Sequence, residues 1–151
     1  MKCLTLKQPW ATLVVLSVKR IETRSWGTFY RGPLAIHAAK RWTKADQRLC
    51  YEPPFYEFLG RNAPWELPLG AVLGIVFLHD CRFIWNSTDS RALNPNTLSE
   101  QERAFGDYAN GRYAWVLTGA VAFPEPVPAR GKLSLWQWDT SGIVLPEAVR
   151  S

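Results

Sequence analysis

The chain has 151 residues, 47% of them hydrophobic, and a formal net charge of +5. That length and apolar content exclude a disordered tail and suffice for the core of one domain, expected to span residues 1–151. Three cysteines without metal spacing, two histidines, and an apolar run at 13–18 far too short for a bilayer exclude a disulfide framework, a zinc module and a membrane anchor.

Residues 3–6 read as a short strand. Pro9 suits the first turn of a helix, where its missing N–H would have no partner anyway, and a helix over 9–18 carries Leu13, Val14, Leu16 and Val18 into a core. Lys19 and Arg20 follow at its C-terminal end, where cations complement the helix dipole. Residues 21–26 and 34–39 read as the second and third strands. Thr43 caps a helix running through Leu49, with Asp46 three residues on, and Pro53-Pro54 ends it. Residues 55–59 add a helical turn stopped by Gly60, and 62–68 form a loop. Residues 71–84 carry a long strand pattern, bent near Gly74 or at His79-Asp80. A polar loop over 85–95 leads to Ser99 and Glu102, a capping box that opens a helix through Phe105. Residues 112–117, 120–123 and 132–138 read as strands, whereas Pro124, Pro126 and Pro128 suit a central strand poorly. The sum is an α+β chain of about six strands with two or three peripheral helices. It lacks the regular alternation of a parallel nucleotide-binding sheet and is predicted to be a small bent β-barrel.

Charge is distributed unevenly. Ten Lys and Arg against two acids, Glu22 and Asp46, put +8 in residues 1–50 and leave −3 for the remainder. A basic half interleaved with Trp and Tyr fits phosphate-bearing partners. Lys7, Lys19, Arg24, Arg31 and Lys40 are expected to converge on one concave surface as an anion-binding wall. Glu22, Arg24 and Trp26 lie two apart on a strand, so a carboxylate, a guanidinium and an indole share one face, while Thr23 points the other way. Trp10 and Trp26 are candidates to stack on a base, with core packing the alternative for Trp10, and Gln8 offers donor and acceptor to a base edge. Lys19 and Glu22 form either a plain ion pair or a proton-transfer pair. His37 is a second-tier cleft candidate, set against a hydrogen-bonded core histidine. Cys3, Cys50 and Cys81 read as reduced thiols of a cytoplasmic protein, and Lys7-Gln8-Pro9 interrupts any secretory leader early. No metal or cofactor is implied.

The runs LTLKQPWATLVV, VKRIETRSW, YRGPLAIHAAK, LPLGAVLGIVFLHDC, RYAWVL and RGKLSLW occur in that order. Together they resemble the ASCH (activating signal cointegrator homology) domain family, from Leu4 to about Trp138. The glycine usual before the basic turn is Ser17 or Val18 here. The resemblance implies a PUA-like β-barrel related to RNA-binding modules, with a cleft lined by the turn and strand that carry Lys19, Glu22 and Arg24. It implies nucleic-acid binding and, in small bacterial relatives, hydrolysis: one branch deacetylates N4-acetylcytidine with a Lys, a Thr and a Glu, and another is described as a ribonuclease. Lys19 and Arg24 match the family's basic positions. The deacetylase Thr falls at Glu22, which has no hydroxyl, and the segment of its Glu contains Glu100 and Glu102. By the same analogy Tyr113 and Lys132 join Lys19 in a ribonuclease-like set. The reading favoured is RNA, nucleotide or nucleoside binding with no membrane partner. A small hydrolase and a module for an acidic protein partner are the alternatives.

Overall fold

In the computed structural model, which describes residues 1–149, six strands form one mixed sheet in the order β2-β5-β4-β3-β1-β6. These are β1 (Lys2–Leu6), β2 (Ile21–Arg24), β3 (Gly32–Ala38), β4 (Ala71–Phe83), β5 (Tyr113–Pro128) and β6 (Leu135–Gln137). Only β1 and β3 run parallel; the other ladders are antiparallel. The α+β expectation therefore holds. The helices number five among the described residues rather than two or three, all short: α1 (Trp10–Val15), α2 (Lys44–Leu49), α3 (Phe55–Leu59), α4 (Ala63–Glu66) and α5 (Glu100–Ala104). The extra helix α4 lies within the predicted loop. No helix is long and apolar enough to cross a membrane among the described residues.

The sheet curls because its two longest strands break register three times, between Val72 and Gly74, Ile75 and Phe77, and Leu78 and Asp80. Each irregularity adds twist and bends the strand. The first and last of them lie at the two places where a bend is expected, near Gly74 and at His79-Asp80. A side chain at Gly74 would collide with the Val121 carbonyl oxygen, so only glycine lets β5 approach there. The curl brings the far ends together: Arg24 on edge strand β2 donates to the Thr5 carbonyl of β1 at 2.8 Å, although β1 is fifth in the sheet order. No ladder joins β2 to β1 or β6 among the described residues, so the result is a half-barrel with a gap beside β2.

The concave face holds the main core, in which Leu4, Leu6, Leu34, Ile36, Leu78, Trp115 and Leu117 pack around Ala11, Val14 and Val15 of α1. On the opposite side Cys3, Ala35, Val72 and Ile75 pack with Trp136 and Trp138. Helix α1 is shorter than predicted and ends in a Schellman turn. Val18 N–H bonds the Leu13 carbonyl at 3.0 Å and Ser17 N–H the Val14 carbonyl at 3.1 Å, with Ser17 left-handed at φ 62°. Lys19 N–H also reaches the Leu13 carbonyl at 3.0 Å, so this turn aims the lysine back toward the barrel.

The prolines extend one strand. Pro124, Pro126 and Pro128 belong to β5, a single 16-residue strand that joins the two strands expected over 112–117 and 120–123. Beyond Val116 the β2 ladder has ended, so that half of β5 pairs with β4 on one side only, a position that prolines tolerate. Pro124 and Pro126 fall in the register break between the Ala122 and Val127 pairings.

Candidate ligand cleft at the open edge of the half-barrel

The gap beside β2 is a cleft of about 630 Å³. Its walls come from three directions. Thr5, Leu6, Lys7 and Trp10 lie on the β1–α1 side, and Glu22, Thr23, Arg24, Ser25 and Trp26 on β2 and the turn after it. Ala104, Phe105, Gly106, Asp107 and Arg112 close it from α5 and the segment that follows. A volume in the range of about 300–1,000 Å³ is typical of small-molecule sites.

Local sequence explains each wall. Thr43 and Asp46 complete a reciprocal capping box on α2, and Asp46 then holds Lys7 at 3.1 Å, fixing the lysine stem at the rim. Burial alone would raise the Asp46 carboxyl, but the Thr43 bonds and Lys7 outweigh it and leave the group below its ordinary range. Ser99 caps α5 by accepting from Glu102 N–H at 3.1 Å. The return half of that box is replaced: Glu102 instead accepts from Arg20 N–H at 2.8 Å and so clamps α5 to β2. Burial raises the Glu102 carboxyl, partly offset by the Arg20 N–H and the nearby Lys19 charge. Its second oxygen and the Tyr108 hydroxyl are both buried without a hydrogen-bond partner among the described residues. Burial first, and then the neighbouring Glu102 and Glu22 charges, push the Tyr108 phenol upward.

On β2 the predicted alternation holds. Glu22 Oε2 lies 3.3 Å from Arg24 Nε, so the two side chains share a face. Trp26 continues it, packing edge-on to buried Trp115 with ring centroids 4.8 Å apart. Thr23 turns toward the α5 side, where its hydroxyl oxygen accepts from Asp107 N–H at 3.0 Å. Arg112 closes the same side, donating to the Thr23 carbonyl at 3.3 Å and the Asp107 carbonyl at 3.1 Å.

The five predicted cations do not converge. Lys7 and Arg24 line the cleft, and Arg112, just before β5, supplies a third cation that the basic first half of the sequence does not reveal. Lys19 is 1% exposed. Its amine donates to the Ile21 carbonyl and lies 3.5 Å from Glu22 Oε1, behind the cleft wall. Burial lowers its basicity, and Glu22 only partly restores it. Arg31 lies on the loop before β3, paired with Asp80 at 3.5 Å, and exposed Lys40 lies beside Gly70. The expected wall is thus corrected to a mixed cleft in which Glu22 and Asp107 stand among three cations.

Other candidates also find different surroundings. Gln8 is fully buried, with its amide nitrogen donating to Thr12 Oγ1 and the Pro68 carbonyl and its oxygen accepting from Thr12 N–H. Both amide N–H groups and the oxygen are engaged at Thr12 and Pro68 and the side chain is buried, so it does not read a base edge. His37 is a core group 2% exposed, held between Thr5 Oγ1 at 3.2 Å and the Ala129 carbonyl at 2.7 Å, and packed edge-on to Trp136. Burial holds its imidazole below the ordinary value. Tyr113 packs under Gly27, next to the cleft, and Lys132 is exposed on the loop before β6. Neither lines the cleft. Phe105, Gly106 and Asp107 line it unpredicted, and the signal available was their place just after a capped helix. The thiols of Cys3 and Cys50 are buried, and burial pushes the former up to about 12.

The ASCH domain model matches residues 4–126. The chain belongs to the ASCH domain family. It is similar to activating signal cointegrator 1 of Mus musculus and of Homo sapiens, each 26% identical over 140 residues. Those matches cover 91% of this chain but 22% of each relative, so the chain spans less than a quarter of their length. Among solved structures it is similar to ASCH from Zymomonas mobilis, 17% identical, with a TM-score of 0.46 over 84% of this chain and 72% of that one. A point variant of the same protein aligns with an equal TM-score of 0.46 at 18% identity, again over 84% of this chain and 72% of that one.

Proposed function

We propose that this ASCH domain binds RNA by holding one nucleotide in the cleft beside β2. The observation that carries this reading is the composition of the walls: two half-buried rings, Trp10 and Trp26, and three cations, Lys7, Arg24 and Arg112, around one opening. A base stacked on an aromatic ring gains about 1–3 kcal/mol, and every base has a face to stack. Arg24 and Arg112 offer planar forks that match phosphate, and Lys7 adds a point charge at the rim. Glu22 and Ser25 supply an acceptor and a hydroxyl for a base edge or a ribose. The presence of two carboxylates among the cations favours a short polar ligand over a long phosphate track.

Lys19 supports binding rather than proton transfer. Its amine is buried, donates to the Ile21 carbonyl and pairs with Glu22, and Lys19 does not line the cleft.

The test is binding of unstructured RNA and of nucleoside monophosphates, measured across salt concentrations in wild type and Arg24→Ala. With three cations in the cleft, the log–log salt slope for single-stranded RNA should be no steeper than about −2. Arg24→Ala should weaken both ligands. Salt-sensitive binding to an acidic protein, with none to RNA or nucleotide, would overturn the reading.

A further inference from the structure

Two aromatic rings outside the cleft have no structural task. Phe83 and Trp85 are 40% and 46% exposed, and neither belongs to a buried cluster. Their rings are nearly parallel, at 11° with centroids 5.8 Å apart, and Phe83 meets Tyr113 edge-on at 5.6 Å. The backbone beneath them is fixed: Trp85 N–H donates to the Leu93 carbonyl at 3.1 Å, and Leu93 N–H returns to the Phe83 carbonyl at 2.8 Å. The rings are therefore presented from a held strand end, so little order would have to be imposed on them by a ligand.

Their position relative to the cleft follows from the register. Arg24 pairs with Tyr113, and Tyr113 pairs with Phe83. Directly opposed residues point to the same face of a sheet, so the three lie in one row across β2, β5 and β4. Two strand spacings, about 10 Å, separate Arg24 from Phe83. Arg31, on the loop before β3, is braced on the Thr28 and Tyr30 carbonyls at 2.9 and 2.8 Å and pairs with Asp80, three residues before Phe83 on β4, at 3.5 Å.

Resting on the cleft reading above, we propose that Phe83 and Trp85 form a second stacking site for the base adjacent to the nucleotide in the cleft. The ligand is then single-stranded RNA of more than one nucleotide. A duplex does not fit, because its bases have no free faces to offer a ring. The row also accounts for exposed aromatic area that would otherwise be a liability at the end of a sheet.

The experiment compares a nucleoside monophosphate with a short unstructured RNA oligonucleotide and with the same length of RNA in a duplex. The proteins are wild type, Trp85→Ala, Trp85→Phe and Arg24→Ala. Wild type should hold the single strand more tightly than either the monophosphate or the duplex. Trp85→Ala should weaken the single strand about tenfold, the loss typical of removing one stacked base, and leave the monophosphate unchanged. Trp85→Phe keeps a ring and should recover most of the loss. Arg24→Ala should weaken monophosphate and single strand alike. Monophosphate binding with equal affinity for the single strand, or equal losses for both ligands in Trp85→Ala, would overturn the second site alone. No binding of any ligand by wild type would overturn the cleft reading and the second site with it.

Discussion

Lys19→Met separates a structural lysine from a catalytic one. Methionine fills nearly the same space, so the perturbation is loss of the ammonium rather than a cavity. Two groups lose their partner: the Ile21 carbonyl and one oxygen of Glu22, 3.5 Å away. Removing one member of a buried ion pair costs about 3–5 kcal/mol. Glu22 keeps Arg24 at 3.3 Å and the Thr23 N–H at 3.2 Å, which places the expected loss at the low end, about 3 kcal/mol. For a chain of this size that is a melting temperature lower by roughly 6–12 °C. The pH dependence has a definite sign. Burial holds the Lys19 amine below its ordinary value, so between the native and unfolded values the unfolded chain binds more protons, and stability contributed by this group rises with pH. Lys19→Met should remove that slope. The assay is thermal and urea unfolding across alkaline pH, with RNA affinity measured well below the melting transition. The double variant Lys19→Met/Glu22→Gln should recover part of the loss, because it no longer leaves the Glu22 carboxylate with one cation where it had two. A Lys19→Met protein of unchanged stability that has lost ligand binding would refute the argument and return Lys19 to the site.

Ser17→Gly should stabilise the protein by about 0.5–1 kcal/mol, since a left-handed residue costs an L-amino acid more than glycine loses in chain entropy; a lower melting temperature would contradict the turn geometry. Asp46→Asn removes one side of the α2 capping box and the Lys7 pair, at a cost of about 1 kcal/mol at neutral pH. Because the native Asp46 carboxyl titrates below its ordinary value, its contribution is present above that value and fades as pH falls through the native one. The difference between wild type and variant should therefore shrink in acid, and a constant difference would contradict it. Neither wild type nor Thr23→Ala should release acetate from N4-acetylcytidine, because the Thr23 hydroxyl oxygen is engaged by Asp107 N–H and Glu22 occupies the hydroxyl position; turnover abolished by Thr23→Ala would show that the strand face is misassigned.

What was legible in the sequence was the local chemistry. Thr43 with Asp46, Gly60 after Phe55–Leu59, and the alternation of Glu22 and Arg24 each follow from a few adjacent residues, and each appears in the structure. That β5 continues through its three prolines was not legible, because it depends on where β2 stops pairing, a property of the sheet and not of the segment. The basic wall failed for a related reason. Lys19 and Arg24 are close in sequence, but the turn at Ser17 sends Lys19 behind the cleft wall, while Arg112 arrives from β5's entry. Gln8 and His37 had polar side chains that suited a ligand, and only their buried partners, Thr12, Pro68, Thr5 and Ala129, show that the fold had already used them. The Phe83–Trp85 pair did leave a trace, two aromatics spaced by two at the end of a strand pattern, which reads equally as ordinary strand composition.

The charges along β2 are explained first by the edge of the sheet. Among the described residues strand β2 pairs only with β5, so the N–H and C=O groups of Ile21 and Thr23 point away from β5, to its unpaired side. Each is met by a charged side chain: Glu102 faces the Ile21 N–H, Lys19 the Ile21 carbonyl, Glu22 the Thr23 N–H, and Arg112 the Thr23 carbonyl. A neighbouring strand would have satisfied the same groups and closed the barrel. Side chains do it instead, and the space the missing strand would have filled remains as the cleft. Arg24 differs from the rest, because it reaches across the gap to Thr5 rather than back to its own strand. Edge protection and ligand binding are thus built from overlapping residues. A loss of binding in any of these variants carries functional meaning only when its melting temperature is known, and Arg24, which caps no β2 backbone group, is the side chain on which the two roles separate most cleanly.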